Sequence, residues 1–339
     1  VEVKTTERIR VEDLSQVAEV RRASARMAAS CGLGETEVGK VSIVVTELAT
    51  NLMKHGRGGE LVLIPPQGGS EWLEILALDK GGGMANVGRC IEDGFSTAGS
   101  PGNGLGAIAR LSSHLEIYSP AQRGTAAYTT FRAGSTSVPM SMAVGGVSIP
   151  LLGEEVCGDA WAVQAIEAGV SILVVDGLGH GPGAAEASGR AVEIFRRNPK
   201  LTPKDMVEAL HVGLLDTRGA SVGVARLDPD RNELRFAGVG NISGVIVFED
   251  GKQQSVISHN GTAGMQQVLR TVQEFSYGFP PGAVAIFHSD GVAAQWKLSS
   301  YPGLARCHPT LISAVLYRDF TRGRDDATVV TARRASPPA

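Results

Sequence analysis

The sequence predicts an α/β protein of two domains in series, and three observations carry that expectation. The chain has 339 residues, long for a single hydrophobic core. Residues 1–132 mix helical and strand patterns. Past an uncharged stretch the chain becomes mainly strands separated by turn signals such as "DPDRN" and "EDG". The expected division is a first domain over 1–132, a linker over 133–139, a second domain over 140–334 and a tail over 335–339.

Bulk numbers exclude several classes of function. Hydrophobic residues make up 43%, enough for sizeable cores. The formal net charge is -3, from 32 basic and 35 acidic residues, with no long run of one sign. That balance lacks the electrostatic footprint of a nucleic-acid or anionic-lipid binder. Cys31, Cys90, Cys157 and Cys307 are far apart in no CxxC pair, which suits a reducing cytoplasm. The opening "VEVKTTERIR" shows no secretory apolar region, so a cytoplasmic location is expected. Residues 133–153 carry no charge, but Pro139, Pro150 and several Gly and Ser dilute them too far for a membrane helix. They read as a linker followed by an entering strand.

The first domain opens with a helix over 14–31. Asp13 caps it, Gln16 completes a capping box, and Gly32 stops it. A second helix runs from about Thr36 to Lys54, with an apolar stripe of Val38, Val41, Val45, Leu48 and Leu52 at helical spacing. Strands follow at "ELVLIPP" and "WLEILALD", then a glycine-rich stretch, a short helix near "GLGAIARLSSH", and strands at "LEIYSP" and "AAYTTFR". In the second domain the strands "AWAVQAIEAG", "VSILVVD", "ASVGVARLD", "ELRFAGVG", "SGVIVFEDG" and "AVAIFHSD" suggest an antiparallel meander. Helices at "AAEASGRAVEIFRRN", "PKDMVEALHVGLLD" and "PTLISAVLYRDF" would cover outer faces of a layered sandwich.

Glu47 and Asn51 are one helical turn apart and share a face. Alone, the pair equally suits a solvated helix surface. Further on, a strand ends in Asp79 and enters "DKGGGM", where Gly81 and Gly83 allow a ligand to approach the backbone closely. An aspartate there can accept a hydrogen bond from an exocyclic amine. Then Gly102, Gly104 and Gly106 precede a helix, whose free amides suit phosphates. Lys54 and His55 read best as a solvated helix end.

The segments "TELATNLMKH", "DKGGGM", "EDGFSTAGSPGNGLGAIARLSSHLEIYS" and "RGTAAYTTF" resemble the GHKL ATPase family, in its branch of anti-sigma and RsbT-like switch serine kinases. The resemblance spans nearly all of 1–132 and implies a two-layer α/β sandwich that binds ATP. It implies Glu47 as general base, Asn51 as a Mg²⁺ ligand and Asp79 as acceptor of the adenine amine. Gly81 and Gly83 would flank the adenine with Thr125 behind it, and Gly102, Gly104, Leu105 and Gly106 would wrap the phosphates. Phosphoryl transfer needs this positioning more than covalent help. Related kinases often dimerise, so a homodimer is an open expectation.

In the second domain, Asp176 ends the apolar strand of "VSILVVDGLGHG", and Asp159, Asp290 and Asp325 also sit at strand boundaries. One such residue reads as a turn cap. Four acids without matching cations suit hard divalent ions, Mg²⁺ or Mn²⁺. The set "CGDAW", "VVDGLGHG", "RGASVGVARLD", "FAGVGNISG", "FHSDGV" and "GRDDATVV" resembles the PPM-type metal-dependent protein phosphatases, in their SpoIIE and RsbX branch. The resemblance implies a four-layer α-β-β-α sandwich. Asp176 would bridge two metals, the Gly177 carbonyl would add a ligand, Asp290 and Asp325 would complete one metal, and Asp159 would support the second through water. It implies attack on phosphoserine or phosphothreonine by water that the metals activate. The role of Asp326 is open, and His180 suits leaving-group assistance or a structural duty. The remaining histidines form no zinc pattern.

Together these features imply a bifunctional regulator of a bacterial partner-switching pathway, a kinase and a phosphatase acting on a STAS-domain antagonist or scaffold protein. A second reading stays open: a phosphatase whose first domain only senses nucleotide and binds the partner.

Overall fold

The computed structural model describes residues 6–66, 72–91, 104–132, 141–265 and 272–335. The expected linker over 133–139 and the phosphate-loop residue Gly102 lie outside them. The chain divides into two compact units, Val1–Ser137 and Val138–Ala339.

The first unit runs β1 (Glu7–Val11), α1 (Leu14–Ser30), α2 (Glu35–His55), β2 (Gly59–Ile64), β3 (Trp72–Leu78), α3 (Val87–Ile91), α4 (Gly104–Leu111), β4 (His114–Tyr118) and β5 (Ala126–Arg132). Its strands form one sheet in the order β1-β2-β3-β5-β4, antiparallel throughout. The Asp13 carboxylate accepts from the Ser15 and Gln16 amides, and the Gln16 side chain returns to the Asp13 amide, so the capping box forms as expected. At the other end Gly32 takes φ +85°, and Leu33 N–H reaches the Ala28 carbonyl at 3.1 Å, closing α1 with a Schellman turn. Val41, Val44, Val45, Leu48 and Leu52 of α2 are buried against Leu61, Leu63, Leu73 and Ile75 of the sheet. This places one face of α2 in the core and leaves its Glu47 and Asn51 edge half-buried.

The second unit runs β6 (Met142–Ile149), β7 (Asp159–Ile166), β8 (Gly169–Gly177), α5 (Pro182–Arg197), α6 (Pro203–Gly213), β9 (Ala220–Asp228), β10 (Glu233–Val239), β11 (Ser243–Val247), β12 (Gln253–Ser255), β13 (Phe275–Gly278), β14 (Val284–His288), α7 (Pro309–Phe320) and β15 (Ala327–Arg334). The strands divide between two sheets, β13-β10-β9-β8-β7 and β12-β11-β14-β15-β6. The expected meander holds for β7 to β10 but not beyond. The entering strand β6 pairs with the last strand β15, so the first and last strands of this unit lie side by side at one edge of the second sheet. Between the sheets Phe236 and Phe287 stack with ring centroids 5.8 Å apart, amid Ile172, Val174, Leu234 and Val330. Outside the first sheet, Phe195 of α5 and Leu210 of α6 join Val222 and Val224 in a second core layer. Outside the other, α7 lies directly on β6: a Cβ added to Gly145 would meet Thr310 Oγ1 at 2.2 Å. The result is four layers, helix on sheet on sheet on helix. Among the described residues no helix is long and apolar enough to cross a membrane.

Candidate functional site

In the first unit, helix periodicity sets Glu47 and Asn51 side by side, and α4 starts against them. A Cβ on Gly104 would lie 3.0 Å from Glu47 Oε2 and 4.0 Å from Asn51 Oδ1. A side chain at 104 would press on the carboxylate end of Glu47. Leu105 and Gly106 continue the turn, Gly106 buried and Leu105 packed against the core. At the far end of α2, Gly56 packs on Asp79: a Cβ there would meet the Asp79 Cβ at 2.7 Å. Asp79 is buried just past β3, and its Oδ1 accepts from Gly81 N–H at 2.7 Å and Thr125 N–H at 3.1 Å. The Asp79 amide in turn donates to the Thr125 carbonyl at 2.9 Å. Gly83, at φ +70°, lies so close to the Pro120 carbonyl that a Cβ would come within 2.2 Å. The structure thus groups Asp79, Gly81 and Thr125 at one end of α2, and Glu47, Asn51 and Gly104 about 7 to 14 Å along its axis. Lys54 and His55 are exposed at the helix end.

In the second unit, backbone pairing brings the aspartates together. Asp159, the first residue of β7, is directly opposite Asp176 on β8, which is opposite Ser221 on β9. From the other sheet, Asp290 follows β14, and Asp325 and Asp326 precede β15. Ser289 and Thr328 knit those two strand ends: the Ser289 amide donates to the Thr328 carbonyl at 3.1 Å, and the Thr328 amide to Ser289 Oγ at 3.0 Å. Gly291 must be glycine, since a Cβ would meet the Asp326 carbonyl at 1.8 Å. Gly177 donates from its amide to the Gly158 carbonyl at 3.2 Å.

Electrostatics mark the same place. Burial, then the charges of Asp290, Asp325 and Asp326, push the Asp176 carboxyl up to about 7. Burial and the neighbouring Asp176 hold Asp159 well above the usual carboxylate range, although the Ser289 and Thr328 hydroxyls draw it back down. Asp159 Oδ2 is buried with no hydrogen-bond partner. Among the described residues no Lys or Arg forms an ion pair with Asp159, Asp176, Asp290, Asp325 or Asp326. Nor do three acidic, His or Cys side chains among them already close on one point at ligand spacing. An all-oxygen donor set with mutual repulsion and an orphaned buried oxygen fits hard divalent cations.

The sequence reading missed Asn241 and left the role of Asp326 open. Asn241, in the turn after β10, donates from Nδ2 to Asp290 Oδ2 at 2.7 Å and orients that carboxylate. Asp326 accepts from the Leu151 amide at 2.6 Å and the Gly158 amide at 2.7 Å, so it ties the segment leading into Asp159 to the one carrying Asp325. His180 pairs with Glu154, Nδ1 to Oε1 at 2.6 Å, on the exposed side of the loop after β8.

Fold and site define two classes of domain on one chain. Residues 11–130 match the histidine kinase-like ATPase domain family, and residues 167–335 match the stage II sporulation protein E family. The chain therefore joins a GHKL-like ATPase domain to a SpoIIE-type, metal-dependent phosphatase domain. Among curated proteins it is 28% identical over 118 residues to the serine/threonine-protein kinase RsbT of Bacillus subtilis (strain 168), covering 34% of this chain and 89% of that protein. It is 22% identical over 141 residues to the phosphoserine phosphatase RsbX of the same organism, covering 41% of this chain and 69% of the other. A solved structure described as "The bacterial stressosome: a modular system that has been adapted to control secondary messenger signaling" aligns with TM-score 0.52 and 27% identity, over 57% of this chain and 99% of its own.

Proposed function

We propose that the chain is a bifunctional regulator in a cytoplasmic partner-switching pathway. Its first unit phosphorylates a serine or threonine of a STAS-domain protein, and its second unit removes that phosphate. The likeness to RsbT over one unit and to RsbX over the other supports this pairing of opposed activities. The observation that carries it is the convergence of Asp159, Asp176, Asp290 and Asp325 at one end of the paired sheets, on a chain that also sets Glu47 and Asn51 against Gly104.

In the kinase reaction, Glu47 takes the proton from the attacking hydroxyl as it meets the γ-phosphorus of ATP. Asn51 holds Mg²⁺. Asp79, fixed by the Gly81 and Thr125 amides, accepts the adenine amine, with Gly81 and Gly83 flanking the ring and Thr125 behind it. The amides of residues 102–106, from Gly102 through Gly104, Leu105 and Gly106, wrap the phosphates. In the phosphatase reaction, Asp176, the Gly177 carbonyl, Asp290 and Asp325 would hold two Mg²⁺ or Mn²⁺ ions, and Asp159 would support one of them through water. Bound divalent cations supply Lewis acidity toward the phosphoryl oxygens and make water a competent nucleophile near neutral pH. Asn241 keeps Asp290 turned toward the ions, and Asp326 keeps the two ligand-bearing segments at fixed spacing.

Hydrolysis of p-nitrophenyl phosphate with Mg²⁺ or Mn²⁺, with EDTA, and by Asp290→Asn tests the phosphatase half. Turnover that needs metal and Asp290 is expected. Turnover indifferent to both would overturn the assignment.

A further inference from the structure

Arg218 lies in the turn before β9, next to the aspartate cluster in the fold. The following residue, Gly219, accepts from the Leu178 amide at 3.0 Å, while Ala220 pairs with Gly177 and Ser221 with Asp176. The Arg218 side chain runs back over the loop that follows Asp176. A Cβ on Gly183, in the first turn of α5, would meet its Nε at 2.5 Å and its Cζ at 2.8 Å, and a Cβ on Gly179 would meet Nη1 at 3.7 Å. The guanidinium therefore rests on Gly183, which leaves room for it, and passes beside Gly179. It is exposed, and among the described residues it has no ion pair and no hydrogen bond. An arginine lying on the loop that follows Asp176, yet paired with none of the nearby acids, keeps all five donors for another anion.

We propose that Arg218 is the substrate-binding residue that receives the phosphoryl group of the phosphoprotein, by bidentate hydrogen bonds to two of its oxygens. This inference rests on the phosphatase reading above. A phosphomonoester dianion approaching five aspartates meets strong repulsion, and divalent cations offset it only on the side they occupy. A guanidinium on the loop side supplies the missing counter-charge and fixes the ester's orientation in a way a lysine point charge would not. Gly183 is then needed so that the arginine can lie flat.

The experiment measures binding of inorganic phosphate to the full chain with Mg²⁺ by calorimetry, beside turnover of p-nitrophenyl phosphate. Arg218→Ala is expected to weaken phosphate binding roughly 10- to 100-fold, the range for a charge-assisted contact. KM should rise more than kcat falls, and Arg218→Lys should restore only part of the affinity. Gly183→Ala keeps the arginine but pushes its flexible end aside, and it should weaken phosphate binding in the same direction with Mg²⁺ affinity unchanged. Phosphate affinity equal to wild type in both Arg218→Ala and Gly183→Ala would overturn the proposal while leaving the phosphatase reading intact. Wild-type protein that neither binds phosphate in the presence of metal nor hydrolyses the ester would overturn both.

Discussion

Asp159 and Asp176 face one another across adjacent antiparallel strands, two buried or half-buried carboxylates at directly opposed positions. Like charges so placed destabilise a sheet unless something neutral or positive intervenes. The pair is the clearest sign that this end of the second unit is built for a ligand rather than for stability, and its consequences are measurable.

The first consequence is a pH dependence. The folded-state value of Asp176, about 7, lies above its ordinary 3.8. The folded state thus holds a proton that the unfolded state releases. The stability linked to this group is full below pH ~4 and is lost as pH rises to ~7, with a ceiling of about 4 kcal/mol. In EDTA, wild-type protein should lose more melting temperature between pH 5 and pH 8 than Asp176→Asn, by several degrees. Mg²⁺ at pH 8 should raise the wild type and not the variant. Superimposable pH profiles for the two proteins would refute the repulsion argument.

Asp326 carries a structural load that a near-isostere cannot take over. Asn at this position replaces one of two accepting oxygens by a donor and strands the Leu151 or Gly158 amide. Leaving a buried amide unsatisfied costs about 1–3 kcal/mol. Asp326→Asn should lower the melting temperature by a few degrees or more and weaken Mg²⁺ binding, as titration calorimetry would report. An unchanged melting curve would mean that the two amide contacts contribute nothing.

The proposed adenine end of the first unit also depends on a glycine of the segment "RGTAAYTTF" to which the resemblance gives no role. Gly124 has φ +72°, and a Cβ there would meet the Asp79 carbonyl at 2.1 Å. Gly124→Ala should strain the backbone and displace Asp79 and Thr125. ATP affinity should fall at least tenfold while the aspartate cluster's Mg²⁺ binding in the other unit persists. Equal ATP affinity in fluorescence titrations would remove Asp79 from the nucleotide site.

Glu47→Gln separates chemistry from binding. It removes the proposed base but keeps the size of the side chain beside Gly104. Phosphoryl transfer should drop by about 10²–10⁴, the usual contribution of a positioned base, with ATP binding retained. Transfer at the wild-type rate would sink the assignment of the base.

Much of this was legible in the sequence because the signals are local. The Asp13–Gln16 capping box, the Gly32 stop and the α2 stripe each lie within a few residues of one another, and each forms as the pattern implies. Strand-end aspartates were legible for the same reason. What escaped depends on partners remote in the chain: Asn241 meets Asp290 49 residues away, and Asp326 meets Gly158 168 residues away. The two stacked sheets of the second unit were implied by the resemblance, but which strands share a sheet escaped, because it turns on β6 pairing with β15, a contact no local pattern encodes. Strands β1 and β13 are five and four residues long, too short for an alternating pattern to mark them.

The central claim is that one chain both adds and removes the same phosphate. The most direct test mixes Asp290→Asn with the STAS-domain protein encoded nearest to it, adds Mg-ATP, and reads the partner's intact mass, before and after wild-type chain is added without nucleotide. The account predicts one phosphate gained with the variant and lost again with the wild type. A partner that never gains phosphate while the variant binds ATP would contradict it, and would leave a phosphatase whose first unit only senses nucleotide.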